Sequence, residues 1–152
     1  MTDAAGVQPH AGGALRLRFQ LDGGSNVNFC NSPRARDVGA VYASAMQVAG
    51  IGGAADVTVD ESISLRLQLG SGRSIVMSEA CYSTTARRNV LSESWLLDNY
   101  RIVVHKHRLE MEWLDDGHVE SIVRENGLYF TDAVVLSPSA PKNETKTFCI
   151  YI

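Results

Sequence analysis

The residues with the clearest potential for chemistry form the short segment Asp-Gly-Gly-Ser at positions 22–25. It directly follows segment 15–21, in which apolar and polar residues alternate, so its carboxylate stands at the end of a predicted strand. A carboxylate in that position can work as a general acid or base toward a water molecule. Asp-Gly is also a preferred hairpin dipeptide, and the local pattern by itself favours a plain turn residue at Asp22.

Histidines and cysteines offer weaker candidates. His105 and His107 are two residues apart, so on a strand they would share a face and could hold zinc, with His118 as a third ligand; exposed polar histidines are the default interpretation. The three cysteines are far apart, odd in number and without a CxxC pair, which predicts buried reduced thiols rather than a zinc ribbon or a disulfide framework. These cysteines are Cys30, Cys81 and Cys149.

Composition sets the class of protein. With 152 residues, 45% of them apolar and 20% charged, the chain fits one globular domain with a modest core. A net charge of −3 does not favour electrostatic binding to nucleic acid or to an anionic membrane. No apolar run reaches the ~20 residues that span a bilayer, and segment 1–13 has no signal-peptide pattern. We therefore expect a soluble, intracellular protein.

The elements that would position Asp22 are mostly strands. Unbroken alternation predicts strands at 15–21 and 62–69, and the second should form a hairpin with 74–77. Only one stretch is helical in pattern: Ser92 can cap it, and apolar residues 95–97 follow. Asn-Gly at 126–127 is a strong hairpin signal. Further strands are expected at 27–30, 38–48, 57–59, 100–104, 109–113, 119–123, 128–130 and 148–152, with a break at Pro33 and a turn at 115–117.

Seven to ten short strands with one short helix predict a mostly-β barrel or compact sandwich. The predicted domain covers 15–136. Residues 1–14 are expected to be a flexible lead-in, and 137–152 a loose tail that could end in an edge strand.

Five segments, taken in order, resemble the protease of copia-type retrotransposons, a retropepsin-like aspartic protease. The resemblance covers roughly residues 15–136. The active-site motif of that family is an apolar residue, then Asp, then Ser or Thr, then Gly, then Ala or Ser, and this chain has Leu-Asp-Gly-Gly-Ser at 21–25. The family's second signature, Asn-Leu-Leu-Ser, corresponds to Asn-Val-Leu-Ser in this chain. The matching segments are Leu21–Ser25, Val48–Gly52, Arg88–Ser92, Tyr100–Val104 and Glu125–Tyr129.

The resemblance implies a retropepsin-like closed β-barrel with one short α-helix, and a homodimer in which each subunit supplies one Asp22. Two carboxylates a few Å apart share a proton, so that one acts as base and the other as acid on a bound water. No cofactor or metal is needed, and the substrate is an extended peptide, in the family setting the element's own polyprotein. The other Asp-Gly, Asp116-Gly117, falls in a predicted hairpin, so two-fold symmetry must supply the second Asp22.

The chain departs from the family pattern at Gly23, where the family has Ser or Thr with a hydroxyl that hydrogen-bonds across the dimer. Gly24 would let the chain turn toward its mate, and Ser25 would hydrogen-bond around the active-site loop. Loss of the hydroxyl at position 23 leaves a second interpretation open: an impaired or repurposed dimer that binds peptide or acts as a scaffold. A third is an unrelated small β-barrel with a coincidental Asp-Gly-Gly turn.

Gly50, Ile51, Gly52 and Gly53 form a glycine-rich tip. By the same resemblance this tip is a substrate-binding flap, whose backbone pairs with the peptide as an added strand. A plain flexible loop is the alternative.

Overall fold

Strand β1 (Leu15–Asp22) leads into the candidate site and lies in the middle of the main sheet. The computed structural model describes residues 14–43, 59 and 61–136. The alternation expected along β1 is present, because Phe19 and Leu21 point into the core while Arg16 and Arg18 face solvent.

The described part of the chain is mostly β, with two sheets and short helices. The other strands are β2 (Phe29–Cys30), β3 (Ala40–Ala43), β4 (Glu61–Gln68), β5 (Ser74–Tyr82), β6 (Asn89–Ser92), β7 (Ile102–His105), β8 (Glu110–Trp113), β9 (Val119–Ser121), β10 (Val123–Glu125) and β11 (Leu128–Leu136). The helices are α1 (Pro33–Val38), α2 (Glu93–Tyr100) and a 3-10 turn (Lys106–Arg108).

Strand pairings in the larger sheet close on themselves. Its eight strands run in the order β10-β11-β1-β6-β2-β5-β4-β3, and β11 also pairs with β4. The path from β11 through β1, β6, β2, β5 and β4 therefore returns to β11, so these six strands form a closed circuit around one interior. Such closure removes free edges from the strands in the circuit.

The interior of this circuit holds the principal core. Apolar side chains from β1, β4, β5 and β6 meet there with Leu96 from α2 and Ile102 from β7. Side chains buried to below 2% exposure include Phe19, Ile63, Leu65, Leu67, Ile75, Met77, Leu91, Leu96, Ile102 and Met111. The helix and the smaller sheet thus share one core with the larger sheet.

The smaller sheet, β7-β8-β9, is joined to the larger one through the carboxylate of Glu120, which is only 3% exposed. Its Oε1 accepts the Ser71 amide at 3.0 Å, and its Oε2 accepts the Ser71 hydroxyl at 2.6 Å and the Trp113 indole N–H at 3.0 Å. Ser71 lies in the turn between β4 and β5, so one buried side chain ties that turn to β8 and β9. This contact satisfies the charged group inside the protein.

Several expected elements have different bounds. Segment 38–48 was expected to be extended, and 40–43 is a strand, but Val38 ends a helix that begins at Pro33. Residues 44–48 lie outside the described residues. Strand β5 continues to Tyr82, well beyond the expected end at Met77. Tyr100 ends helix α2 rather than beginning a strand. The hairpin at Asn126 and Gly127 is confirmed, since both have positive φ, 51° and 79°, as a type I′ turn requires.

Among the described residues no helix is both long and apolar enough to cross a bilayer. The lead-in, the glycine-rich tip 50–53, the strand expected at 57–58 and the tail from 137 lie outside the described residues.

Candidate functional site

Asp22 is the last residue of β1, and its carboxylate closes the turn that follows. The amide of Gly24 donates to Asp22 Oδ1 at 2.7 Å, which is an Asx turn. Gly23 and Gly24 are exposed and Asp22 is half-buried. Neither glycine has the left-handed φ that the Gly-Gly pair made possible, since the described glycines with positive φ are Gly72, Gly117 and Gly127. The turn is therefore set by the Asp22 side chain.

Strand β6 supports this turn from behind. It lies between β1 and β2, the two strands that the turn connects, and pairs in parallel with β1 so that Asp22 lies opposite Ser92. The Ser92 hydroxyl donates to the carbonyl of Ser25 at 2.6 Å, and the Ser92 amide donates to Asn28 Oδ1 at 2.7 Å. Ser92 is fully buried, so these bonds hold the loop at a rigid point of the fold.

Ser92 also begins helix α2. Its Oγ accepts the amide of Trp95 at 3.1 Å, as the N-cap role expected from the sequence requires. One hydroxyl therefore joins the start of the helix to the loop that carries Asp22.

Ser25 makes its hydrogen bonds within its own loop. Its hydroxyl donates to the carbonyl of Val27 at 2.7 Å and accepts the Val27 amide at 3.2 Å. These bonds shape the segment between the turn and β2.

Asn89, at the start of β6, fixes the opposite end of this unit. Its Oδ1 accepts the amide of Asn31 at 2.8 Å, and its Nδ2 donates to the carbonyl of Arg18 at 3.2 Å. Both strands that flank the Asp22 loop are thus held by one side chain of β6. Asn28 was not predicted as a support, because its partner Ser92 lies 64 residues further along the chain.

The charges around the turn are few. Asp22 makes no ion pair with any residue in the described ranges. Glu93, the first residue of α2, directs its carboxylate toward Gly23, and Lys106 Nζ lies 2.9 Å from Glu93 Oε2. The Asp22 carboxylate therefore has no cationic partner in the described ranges, whereas the neighbouring Glu93 carboxylate is paired with Lys106.

The two described cysteines add no nucleophile to the loop. Both are buried thiols that form no disulfide with each other, as expected. Burial raises the pKa of the Cys30 thiol to about 11 and that of Cys81 to about 12. The thiolate is the reactive form, so both groups are inert near neutral pH.

The other Asp-Gly of the chain serves a turn, as the sequence predicted. Asp116 lies between β8 and β9, Gly117 takes φ +77°, and Arg73 Nη2 lies 2.6 Å from Asp116 Oδ2. This ion pair lowers the pKa of the Asp116 carboxyl.

The zinc alternative, which was not the default interpretation, required His105 and His107 to share a strand face, and the structure places them in different elements. Strand β7 ends at His105, and His107 lies in the 3-10 turn with its ring centroid 6.2 Å away. His105 Nε2 instead contacts Glu112 Oε1 at 2.9 Å, while His118 lies near Glu120. Within the ranges given above, no group of three His, Cys, Asp or Glu side chains is arranged for a metal ion.

An open cavity of about 590 Å³ borders both described ends of the segment that contains the glycine-rich tip. Tyr42 and Ala43 line it from β3, Glu61 from β4, and Tyr82 from β5, together with residues 83–85. It is large enough for peptide side chains.

Comparisons with known proteins add no assignment: no family model, no curated protein and no solved structure matches the chain.

Proposed function

We propose that the chain is an aspartic endopeptidase of the copia-type retrotransposon class, which works as a homodimer and cleaves an extended polyprotein peptide inside the cell. One observation carries the proposal. Asp22 is half-exposed at the end of β1 and has no ion pair in the described ranges, and its turn is held by a hydrogen bond from the buried Ser92 hydroxyl to the Ser25 carbonyl. A carboxylate that is rigidly placed and unneutralised is what a shared-proton pair requires.

The chemistry needs a second copy. Two Asp22 carboxylates facing across a two-fold axis would share one proton and hold a water between them. The ionised carboxylate takes a proton from the water as its oxygen attacks the scissile carbonyl, and the protonated one gives its proton to the carbonyl oxygen. The carboxyl that took the proton of the water then gives it to the nitrogen, while the other carboxylate takes a proton from a diol hydroxyl. The C–N bond breaks, the carbonyl re-forms, and the pair again holds one proton. Exposed Gly23 and Gly24 leave room for the partner to approach.

The closed circuit of six strands around one core supports the barrel that the proposal requires. In this proposal the glycine-rich tip 50–53 closes over the peptide, and the cavity beside Tyr42 and Tyr82 receives substrate side chains.

Gly23 favours a second candidate function, a dimer that binds peptide or acts as a scaffold without cleaving. The turn has no hydroxyl at this position to bond across the interface, and Gly23 itself is exposed. Since Gly23 does not have a left-handed φ, Gly23→Ser is compatible with the backbone and can test whether the missing hydroxyl limits activity.

The test is cleavage of a peptide library by the purified full chain between pH 4 and 7. We expect cleavage by the wild type, a loss of at least about a hundredfold in Asp22→Asn, and no loss in Asp116→Asn, which changes the other Asp-Gly. Activity should rise more than linearly with enzyme concentration while dimers form.

Dimerisation is measured separately by analytical ultracentrifugation. If the wild type is dimeric and cuts no peptide, and Gly23→Ser restores no cleavage, the endopeptidase proposal fails and the binding function is favoured. Equal cleavage by Asp22→Asn would show that Asp22 is not the catalytic group.

A further inference from the structure

The side chain of Glu93 lies next to the vacant Cβ position of Gly23. A Cβ added to Gly23 would lie 3.4 Å from Glu93 Oε1 and 3.6 Å from Glu93 Cδ and Oε2. These are ordinary contact distances, so the Glu93 carboxylate lies beside the face of Gly23 that carries no side chain. When the adjoining residues are left out, the three heavy atoms nearest to that position all belong to Glu93.

Glu93 is held in this place from two sides. Through the backbone it follows Ser92, which bonds to the carbonyl of Ser25 within the same loop. Through its side chain it pairs with Lys106, whose Nζ lies 2.9 Å from Oε2 and 5.3 Å from the centre of the Tyr129 ring. The Glu93 side chain is only 23% exposed. Its carboxylate is therefore restrained and largely covered, unlike a freely moving surface glutamate.

We infer that Glu93, paired with Lys106, is a positioning residue for the Asp22 turn: its carboxylate lies beside the vacant Cβ position of Gly23 and limits movement of the turn in that direction. The inference rests on the proposed function only in assigning catalysis to Asp22. Two consecutive glycines have the largest backbone freedom of any pair, and catalytic groups lose rate when displaced by about 1 Å. An external restraint on Gly23 compensates for the side chain that the turn lacks.

A simpler role for Glu93 has to be separated from this one. An acidic residue in the first turn of a helix interacts favourably with the helix dipole, whatever lies beside it. That role would make Glu93→Ala destabilising without any dependence on position 23. Glu93→Gln distinguishes the two, because it removes the charge that the dipole favours and keeps the side chain that lies beside Gly23.

A double-mutant cycle on unfolding of the full chain by denaturant tests whether the Glu93 carboxylate lies within reach of position 23. Gly23→Ser is measured with Glu93 present and in Glu93→Ala. The entropic effect of replacing glycine is the same in both backgrounds and cancels, which leaves the contact between the two positions. A serine hydroxyl can donate to the Glu93 carboxylate, so we expect Gly23→Ser to raise the folding equilibrium constant at least about threefold more when Glu93 is present.

The matched control is Asp98→Ala, which removes an exposed acidic residue from the other end of α2 and should show no coupling to position 23. Equal effects of Gly23→Ser with and without Glu93 would overturn the inference. The cycle does not need enzymatic activity, so a failure of the inference is distinct from a failure to cleave peptide.

Cleavage kinetics supply a readout that a purely structural role would not change. Below the thermal transition of each variant, Glu93→Ala should lower kcat at least about tenfold and leave KM within about twofold, because a displaced Asp22 impairs the reaction rather than binding. Glu93→Gln keeps the shape of the side chain and should restore most of kcat. A wild-type kcat in Glu93→Ala would count against the inference even if the coupling were present.

Discussion

Two aspartates of this chain precede a glycine, and their surroundings differ. Asp116 faces Arg73 at 2.6 Å and also accepts the amide of His118, so its charge is used within the molecule. In the described part of the chain, the Asp22 carboxylate accepts one hydrogen bond, from the nearby Gly24 amide, and has no cationic partner. The sequence pattern already placed Asp116 in a hairpin turn, and the structure adds that the two carboxylates have different partners.

The Asp116 pair predicts a specific dependence of stability on pH. Arg73 holds the pKa of Asp116 below its ordinary value of 3.8, so the pair stabilises the folded state above that pH and stops doing so as pH falls through the lowered pKa. We therefore expect Asp116→Asn to have a lower Tm than the wild type at pH 6, and the difference to shrink below pH 3.8. Thermal unfolding followed by circular dichroism measures it.

High salt provides the control for this prediction, because both side chains are exposed and 1 M salt screens their attraction. A difference in Tm that stays constant to pH 2.5 and in high salt would show that the effect is not electrostatic.

The sequence predicted those parts of the site that depend on neighbours along the chain. The place of Asp22 at a strand end and the capping role of Ser92 both follow from local pattern, and both are present. The contacts of Asn28 with Ser92 and of Glu93 with Gly23 were not predicted. They arise only when β6 and α2 pack against the loop, which no local pattern describes.

At the scale of elements, the helix that the sequence analysis missed had a recognisable start. Pro33 was interpreted as a break, yet it is the first residue of α1, where its missing amide costs nothing. Ser32 caps this helix, and its Oγ accepts the amide of Ala35 at 3.2 Å. A Ser-Pro pair therefore signals a helix start here as well as the end of β2.

Gly39, the C-cap of helix α1, lies where no side chain fits. A Cβ on Gly39 would lie 2.7 Å from Leu65 Cδ2 and 2.8 Å from the carbonyl oxygen of Ser64, and the latter belongs to the backbone of β4. Gly39→Ala should therefore destabilise the fold by about 1–3 kcal/mol through overpacking between α1 and the sheet. Urea denaturation gives the free energy of unfolding.

Gly70→Ala is the matched control, since a Cβ there has nothing within 4 Å. Its φ is not left-handed, so we expect unchanged stability or a gain of up to about 1 kcal/mol. Similar losses in both variants would contradict the packing argument.

At the scale of the whole molecule, the two sheets share one core and are also linked by a buried carboxylate. Glu120 bonds to both the amide and hydroxyl of Ser71 in the larger sheet and to Trp113 in the smaller. The alternation along 15–21 and 62–69 predicted the strands of the larger sheet, but an isolated glutamate in a short strand gives no sign that it will be buried.

Glu120→Ala should lower the free energy of unfolding by about 2–3 kcal/mol, because the Ser71 amide and the Trp113 indole lose their buried acceptor. Ser121→Ala, on the same strand but exposed, should stay within about 0.5 kcal/mol of the wild type. Denaturant unfolding compares them. A loss in Glu120→Ala no larger than in Ser121→Ala would show that Glu120 does not join the sheets.

The position of β1 between β6 and β11 also has a consequence for synthesis of the chain. Both neighbours of the strand that carries Asp22 are made long after it, since Asp22 pairs with Ser92 and Leu15 with Val135. Contacts this distant in sequence form slowly and late. The nascent chain would therefore have no assembled Asp22 loop until the ribosome had passed the end of β11. Such a delay would postpone any peptide cleavage until the rest of the domain had been translated.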